Sequence, residues 1–343
     1  MSRRAYLLIA AGLVAVAVAS VLFASRVNPS HVAGGDPDVA ASPVRDGAPR
    51  LSARGWLNSE PLSRSDLNGK VVLYDFWTYS CVNCVRTLPH LRAWYDRYRR
   101  DGLVVVGVHS PEFDFEKDHG NVAKAVHKLG VDYPVALDDD HRIWDRFANQ
   151  YWPAKYLFDR GNRLQFVHFG EGDYDHTEDV IRRLLGVGAK APRAGGAGSE
   201  PNVALVTTQE TYLGADRGGE ALASPEPLTP GERQFSAPDQ LPPDHTALSG
   251  RWLIDSQFVQ STAADDALLL SYHAREVNLV MAPAAPGQAV DVAVVLDGRR
   301  LPSVHVADSD LYRVVVTPQL EAHVLRLQPA GPGLRLYAFT FGP

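Results

Sequence analysis

Two cysteines stand in this 343-residue chain, three positions apart, at Cys81 and Cys84. With no other thiol to pair with, a disulfide-stapled scaffold is excluded, and the two sulfurs read as one chemical unit. Their surroundings narrow the fold further. Val71-Val72-Leu73-Tyr74-Asp75-Phe76-Trp77 is a short apolar run, rich in β-branched and aromatic residues, preceded by Asn68-Gly69. It fits a buried strand. Beyond the pair, Val85, Leu88, Leu91, Trp94 and Tyr98 recur on one helical face. The cysteines therefore lie where a strand passes into a helix, with Cys81 at the helix N-terminus.

That place carries chemistry. Unsatisfied backbone N–H groups and the helix dipole stabilise an anion there, and thiols so placed ionise more readily than free ones. Cys84, one turn inside, is shielded and can attack a mixed disulfide formed at Cys81, which is the minimum equipment for dithiol–disulfide exchange. A structural disulfide competes poorly, because a four-residue loop stabilises little. Zinc wants four ligands, and no second cysteine pair exists. His109, His168 and Glu112 read as satisfied side chains, and Asp138-Asp139-Asp140 as a solvated loop before a helix. Thr78 lies three residues before Cys81 as in peroxiredoxins, but Tyr74 stands where that family has proline.

At these residues the chain resembles the thioredoxin superfamily. The resemblance implies that Asp75, six residues before Cys81, is the buried acid that helps the second cysteine lose its proton. It implies that Trp77 packs beside the site, that Pro89 lies within the active-site helix, and that Trp152-Pro153 forms the cis-proline loop on which extended substrates dock. Ser80 replaces the usual tryptophan before the first cysteine, and Val82-Asn83 replaces Gly-Pro, so the direction of redox use cannot be copied. The stretch from Cys84 to Pro153 is longer than in a minimal thioredoxin: a strand over 103–109, a loop through Glu112, helices over 121–129 and 143–147. It resembles the extracytoplasmic TlpA and ResA branch. A strand over 164–169 and a helix over 177–185, capped at Asp175-His176-Thr177-Glu178, complete an α/β thioredoxin-like domain over 51–185.

Residues 186–201 are rich in glycine and read as a linker. The remainder, 202–343, changes character. Short β-rich runs at 267–273, 277–282, 290–296, 312–317, 323–327 and 334–341, with a hairpin signal at Asp297-Gly298, predict an all-β antiparallel sandwich or jelly roll. The whole arrangement resembles the extracytoplasmic C-terminal half of DipZ-type cytochrome-biogenesis proteins, where a sandwich similar to a carbohydrate-binding module follows the thioredoxin-like domain. It is carried by the segment from Trp77 to Cys84, by Asn149-Gln150-Tyr151-Trp152-Pro153-Ala154, and by Tyr337-Ala338-Phe339-Thr340-Phe341-Gly342. Trp252, Tyr272, Tyr312 and Tyr337 are candidates for sugar stacking, with core packing the plainer role.

Arg3 and Arg4 precede an uncharged apolar run over 7–23. A helix of that length covers about 26 Å, against the roughly 30 Å of a hydrocarbon core. Residues 1–27 are read as a membrane anchor with the folded part outside the cytoplasm, a cleavable signal or twin-arginine signal being the alternatives, and 28–50 as a flexible tether. The net charge of −6 offers no basic footprint for nucleic acid. The expectation is a membrane-tethered thiol–disulfide oxidoreductase acting on disulfides of exported proteins. It needs no cofactor, because sulfur carries both electrons, and it draws reductant from a separate membrane partner of the CcdA type. A glycan-binding protein with a vestigial cysteine pair and a copper metallochaperone are the rivals.

Overall fold

A computed structural model describes residues 37–188, 191–194 and 207–342. The apolar run over 7–23, read as an anchor, lies outside the described residues. Among those described, no helix is long and apolar enough to cross a membrane.

Strand β2 (Val71–Trp77) has all seven residues buried. A strand covered on both faces belongs at the centre of a sheet flanked by helices, and β2 takes that place. The order is β1-β4-β3-β2-β5-β6, with β1 Gly55–Leu57, β3 Leu103–His109, β4 Val135–Leu137, β5 Ala154–Phe158 and β6 Leu164–Phe169. β2 runs parallel to β3, and β3 to β4; β5 and β6 add as antiparallel strands. Alternation along β2 divides two cores. Val71, Leu73 and Trp77 join one with Leu88, Leu91 and Trp94, while Val72, Tyr74 and Phe76 join the other with Ile143, Phe147 and Tyr156. Each such large apolar side chain contributes about 1.5–3 kcal/mol on burial. Asp75 falls on the first face, where only apolar neighbours would be expected.

Helix α1 (Arg64–Leu67) precedes β2, and α2 (Val82–Tyr98) follows it and continues through Pro89. Helix α3 is His119–Lys128, begun by the Asp118 side chain accepting from Asn121 N–H. Helix α4 is Arg142–Phe147. Asp138, read as part of a solvated loop, is fully buried instead: its carboxylate accepts from the N–H groups of Ile143 and Trp144 and from Ser110 Oγ. Helix α5 (Tyr174–Leu185) starts three residues earlier than its sequence suggested. Asp173, at φ 54°, makes the turn, and Thr177 hydrogen-bonds back to its carbonyl, so Asp175 lies inside the first turn.

Two segments read as loose chain are held down. Val44 and Ala48 are buried, Leu164 N–H donates to Arg45 O, and Ala48 N–H donates to Asn162 Oδ1, so the end of the presumed tether is part of the domain. Arg182 binds the carbonyls of Gly188, Ala191 and Pro192, which fastens the start of the presumed linker to α5. The rest of that linker, 195–200 and beyond to 206, lies outside the described residues.

The C-terminal part is all-β and antiparallel. Its strands, from β7 (Thr211–Tyr212) and β8 (Gly231–Phe235) to those given below, form one hydrogen-bonded sheet. Several runs that look short are halves of long strands: β11 is Ala267–Pro283 and β14 is Asp310–Pro329, with register shifts near Ala274 and Val277 where the pair bends. The first half of β11 pairs with β9 (Thr246–Ile254) and the second with β15 (Leu334–Gly342). Short β10 (Val259–Ser261) joins β9 to β15. The sheet therefore folds over on itself around Leu248, Trp252, Leu270, Leu279, Leu325 and Phe339. β12 (Val290–Leu296) and β13 (Arg299–Val306) meet at Asp297-Gly298, both at positive φ, as a two-residue hairpin requires.

The two parts share an apolar contact. Phe113, from the segment after β3, packs with Val280, Tyr337 and Ala338 of the β region, with Phe115 and Phe258 at its margin.

Candidate functional site

β2 ends at Trp77, and the chain turns through Thr78-Tyr79-Ser80 before α2 begins. Cys81 is the N-cap of α2: its backbone is extended, and its Sγ accepts from Cys84 N–H at 3.3 Å. Both cysteines are free thiols, Cys81 half-buried and Cys84 buried. Burial pushes the Cys84 thiol well up, and the neighbouring Cys81 adds to this. The two sulfurs thus differ as an exchange reaction needs, one reachable at the helix end and one protonated beneath it.

Below them lie two buried ionisable side chains on facing strands. Asp75 and Lys155 are register partners across β2 and β5, so they point to the same face, and both are almost wholly inaccessible. Among the described residues, neither carboxylate oxygen of Asp75 has a hydrogen-bond partner. Burial pushes its carboxyl up to about 7, against the pull of the Lys155 ammonium. Lys155 Nζ donates to Gly170 O at 3.2 Å, and burial lowers its pKa. The Asp75 charge is felt at Cys84, where it opposes ionisation. A buried carboxylate without donors destabilises the fold, and such groups concentrate at functional sites. Trp77 is fully buried in the same core, its Nε1 also without a hydrogen-bond partner among the described residues. Position 107, opposite Asp75 on β3, is glycine, and a Cβ there would come within 2.9 Å of that Nε1.

Trp152 and Pro153 are joined by a cis peptide. Pro153 is buried, and its carbonyl accepts from Gly170 N–H. Trp152 is anchored by Nε1 to Ser110 O at 3.0 Å and packs on Trp144. It lines a cleft of about 350 Å³ with Glu112 and His141 on one side and Tyr212, Arg217 and Gln257 of the β region on the other.

Two participants escaped the sequence reading. Lys155 is a lysine inside an otherwise apolar strand, a signal that was available. Glu116 carried none, as one acid among several in a loop. It is fully buried, and its carboxylate accepts from Thr78 Oγ1, Ser80 Oγ and the N–H groups of Glu112 and Phe113. His109 sits beside it, 3.4 Å from Thr78 Oγ1, and burial lowers its pKa to about 3. His168 lies near Glu171 and Asp173. Among the described residues no His, Cys, Asp and Glu side chains cluster as a metal site.

This is the layout of a dithiol exchange centre on a thioredoxin-like fold, and comparison with known proteins agrees. Residues 44–167 match the AhpC/TSA family and residues 208–342 the thioredoxin-like C-terminal domain family. The chain is 31% identical over 143 residues to the thiol-disulfide oxidoreductase YkuV of Bacillus subtilis, covering 41% of this chain and 96% of that protein. It is 39% identical over 302 residues to the protein DipZ of Mycobacterium bovis, covering 84% of this chain and 41% of the relative. It therefore spans about two-fifths of the DipZ length. A solved thioredoxin-like protein in its oxidised form aligns with a TM-score of 0.39 at 32% identity, covering 42% of this chain and 97% of that one. The chain belongs to the thioredoxin-like thiol–disulfide oxidoreductases, and carries behind that domain the C-terminal β domain it has in common with DipZ.

Proposed function

We propose that this protein reduces disulfides of exported proteins, apocytochromes in maturation among them. Its Cys81 thiolate attacks one sulfur of the client disulfide, forming a Cys81–client bond, breaking the client S–S bond and releasing the other sulfur as a thiolate that takes a proton from solvent. Asp75 takes the proton of Cys84. The Cys84 thiolate then attacks the Cys81 sulfur, which breaks the Cys81–client bond, frees the second client sulfur as a thiolate that is protonated from solvent, and leaves a Cys81–Cys84 disulfide. Two electrons pass from the pair to the client, so a donor must re-reduce it; a membrane protein of the CcdA type would fit. The observation that carries this reading is the orphaned Asp75 carboxyl set beneath a buried thiol. Trp77 walls the site from within, and Trp152 and Pro153 shape the groove for an extended client segment. The apolar run over 7–23 would tether the chain to the membrane, with the folded part outside the cytoplasm.

The C-terminal domain is read as a sandwich of carbohydrate-binding-module type. Glycan binding through its aromatics is the weaker reading, because Trp252, Tyr272 and Tyr337 are buried in cores. Reduction of a protein disulfide by the pre-reduced chain, lost in Cys81→Ser and arrested as a covalent client complex in Cys84→Ser, is the test. Retained turnover in Cys81→Ser refutes it.

A further inference from the structure

We propose that the C-terminal β domain sets the geometry of the cysteine pair through Glu116, which is a positioning residue for Cys81; the inference rests on Cys81 being the attacking sulfur. The Glu116 carboxylate is the junction of two segments. Its Oε1 accepts from Thr78 Oγ1 at 2.5 Å and Ser80 Oγ at 2.6 Å, in the turn that delivers Cys81. Its Oε2 accepts from the N–H groups of Glu112 at 2.6 Å and Phe113 at 3.0 Å. Burial raises the Glu116 pKa and the hydrogen bonds from Ser80, Thr78 and Phe113 oppose the rise; a carboxyl that accepts from all four donors is the ionised form, which only accepts.

The second segment is held by the β domain. Glu112 Oε1 accepts from Tyr212 OH at 2.7 Å and Arg217 Nη1 at 2.9 Å. Asp114 N–H donates to Gln257 Oε1 at 2.9 Å. The Phe113 and Phe115 rings lie 5.0 and 4.9 Å from that of Tyr337. An unbroken chain of contacts thus leads from β-domain side chains through Glu112 and Glu116 to the hydroxyls of Thr78 and Ser80. The domain also reaches the other side of the motif. Arg86, two residues past Cys84, lies 3.6 Å from Glu171 and 3.8 Å from Glu276 of β11. A domain that only accompanied the thiol domain would need neither tie to fall on the turn and the helix that flank the cysteines.

The test is the thiol–disulfide equilibrium of the full chain in glutathione buffers. Glu116→Gln keeps the shape but cannot accept all four donors, so the turn slackens and the Cys81 sulfur leaves its alignment with the start of α2. The reduced form loses stabilisation, and the equilibrium moves about tenfold toward the disulfide, equivalent to about 30 mV. Removal of a nearby negative charge alone would move it the other way, so a shift toward the dithiol, or none, overturns the proposal. Arg217→Ala and Tyr337→Ala, both outside the thiol domain, shift it about threefold in the same direction. Combining Arg217→Ala with Glu116→Gln adds nothing to Glu116→Gln alone; independent, additive shifts overturn it. If Glu116→Gln does not fold, the two β-domain variants decide. Should the wild type cycle its cysteine pair in the buffer yet reduce no protein disulfide, the functional reading fails while these equilibria still judge the coupling.

Discussion

Asp75 of the thiol domain and Asp266 of the β domain, both buried, are treated oppositely by their surroundings. Asp266 in the β domain is fully buried, and its carboxylate accepts from the N–H groups of Arg251, Thr262 and Ala263 at 2.7–2.8 Å. Gly250, at φ 99°, leaves the space that carboxylate occupies. Asp75 in the thiol domain is equally buried and, among the described residues, has no donor, only Lys155 opposite it on β5. The first carboxylate completes a turn. The second is held in a state the fold would not choose, and its carboxyl keeps a proton up to about pH 7 for that reason. Burial of an acid alone says little about function; whether its oxygens are satisfied separates structure from chemistry.

The largest effect is expected at the proposed attacking sulfur: Cys81→Ser should lower disulfide reduction by more than 1,000-fold, read by turnover of a protein disulfide. Asp266→Ala orphans three backbone N–H groups, and should cost about 3–5 kcal/mol in urea unfolding. The thiol–disulfide equilibrium of the protein that stays folded should not change. If Asp266→Ala shifted that equilibrium, the contrast between the two acids would fall.

Asp75→Asn should do the reverse. Between about pH 4 and 7 the native state holds a proton on Asp75 that the unfolded state, with the ordinary value of 3.8, does not. Stability therefore falls as pH rises through that window. His109 has the opposite sign: its native value near 3 lies below the ordinary 6.5, so the unfolded state holds the extra proton and stability falls as pH drops. The two slopes oppose each other in the wild type. Asp75→Asn should remove one of them, gaining on the wild type by about 2–4 kcal/mol between pH 4 and 8, with Lys155 losing its counterion and limiting the gain. Turnover should fall about tenfold as the Cys84 proton loses its acceptor. Urea midpoints across pH check the first expectation, and stopped-flow resolution of a mixed disulfide checks the second. A pH-independent difference would place the native Asp75 proton elsewhere.

The smallest effect is expected at the surface. Tyr151 and Phe169 stand exposed as a ring pair 5.0 Å apart beside the Trp152-Pro153 turn. Tyr151→Ala should raise KM for a protein disulfide about threefold and leave a small-molecule disulfide unaffected.

Much of this was legible along the chain. The run from Val71 to Trp77 matches β2 residue for residue, and Leu103–His109 and Leu164–Phe169 are likewise as the pattern suggested, because buried strands write a dense local signal. Helix starts were less legible. Residues at positive φ such as Asp173 begin a helix without a side-chain cap, which leaves nothing to read. The long β11 and β14 looked like several short strands, because bends at register shifts interrupt the apolar alternation without ending the strand.

Local order along the chain prescribes a strand, a turn and a helix that put one cysteine on a helix end and another inside it, with an acid two residues before the tryptophan that ends the strand. Tertiary structure decided what those groups feel. Lys155 meets Asp75 only because two strands distant in sequence pair in one register, and Glu116 reaches Ser80 across 36 positions. Hydrogen bonds and desolvation depend on distance in space rather than along the chain, so the chemistry's setting emerges only when the sheet closes and the second domain docks against the turn.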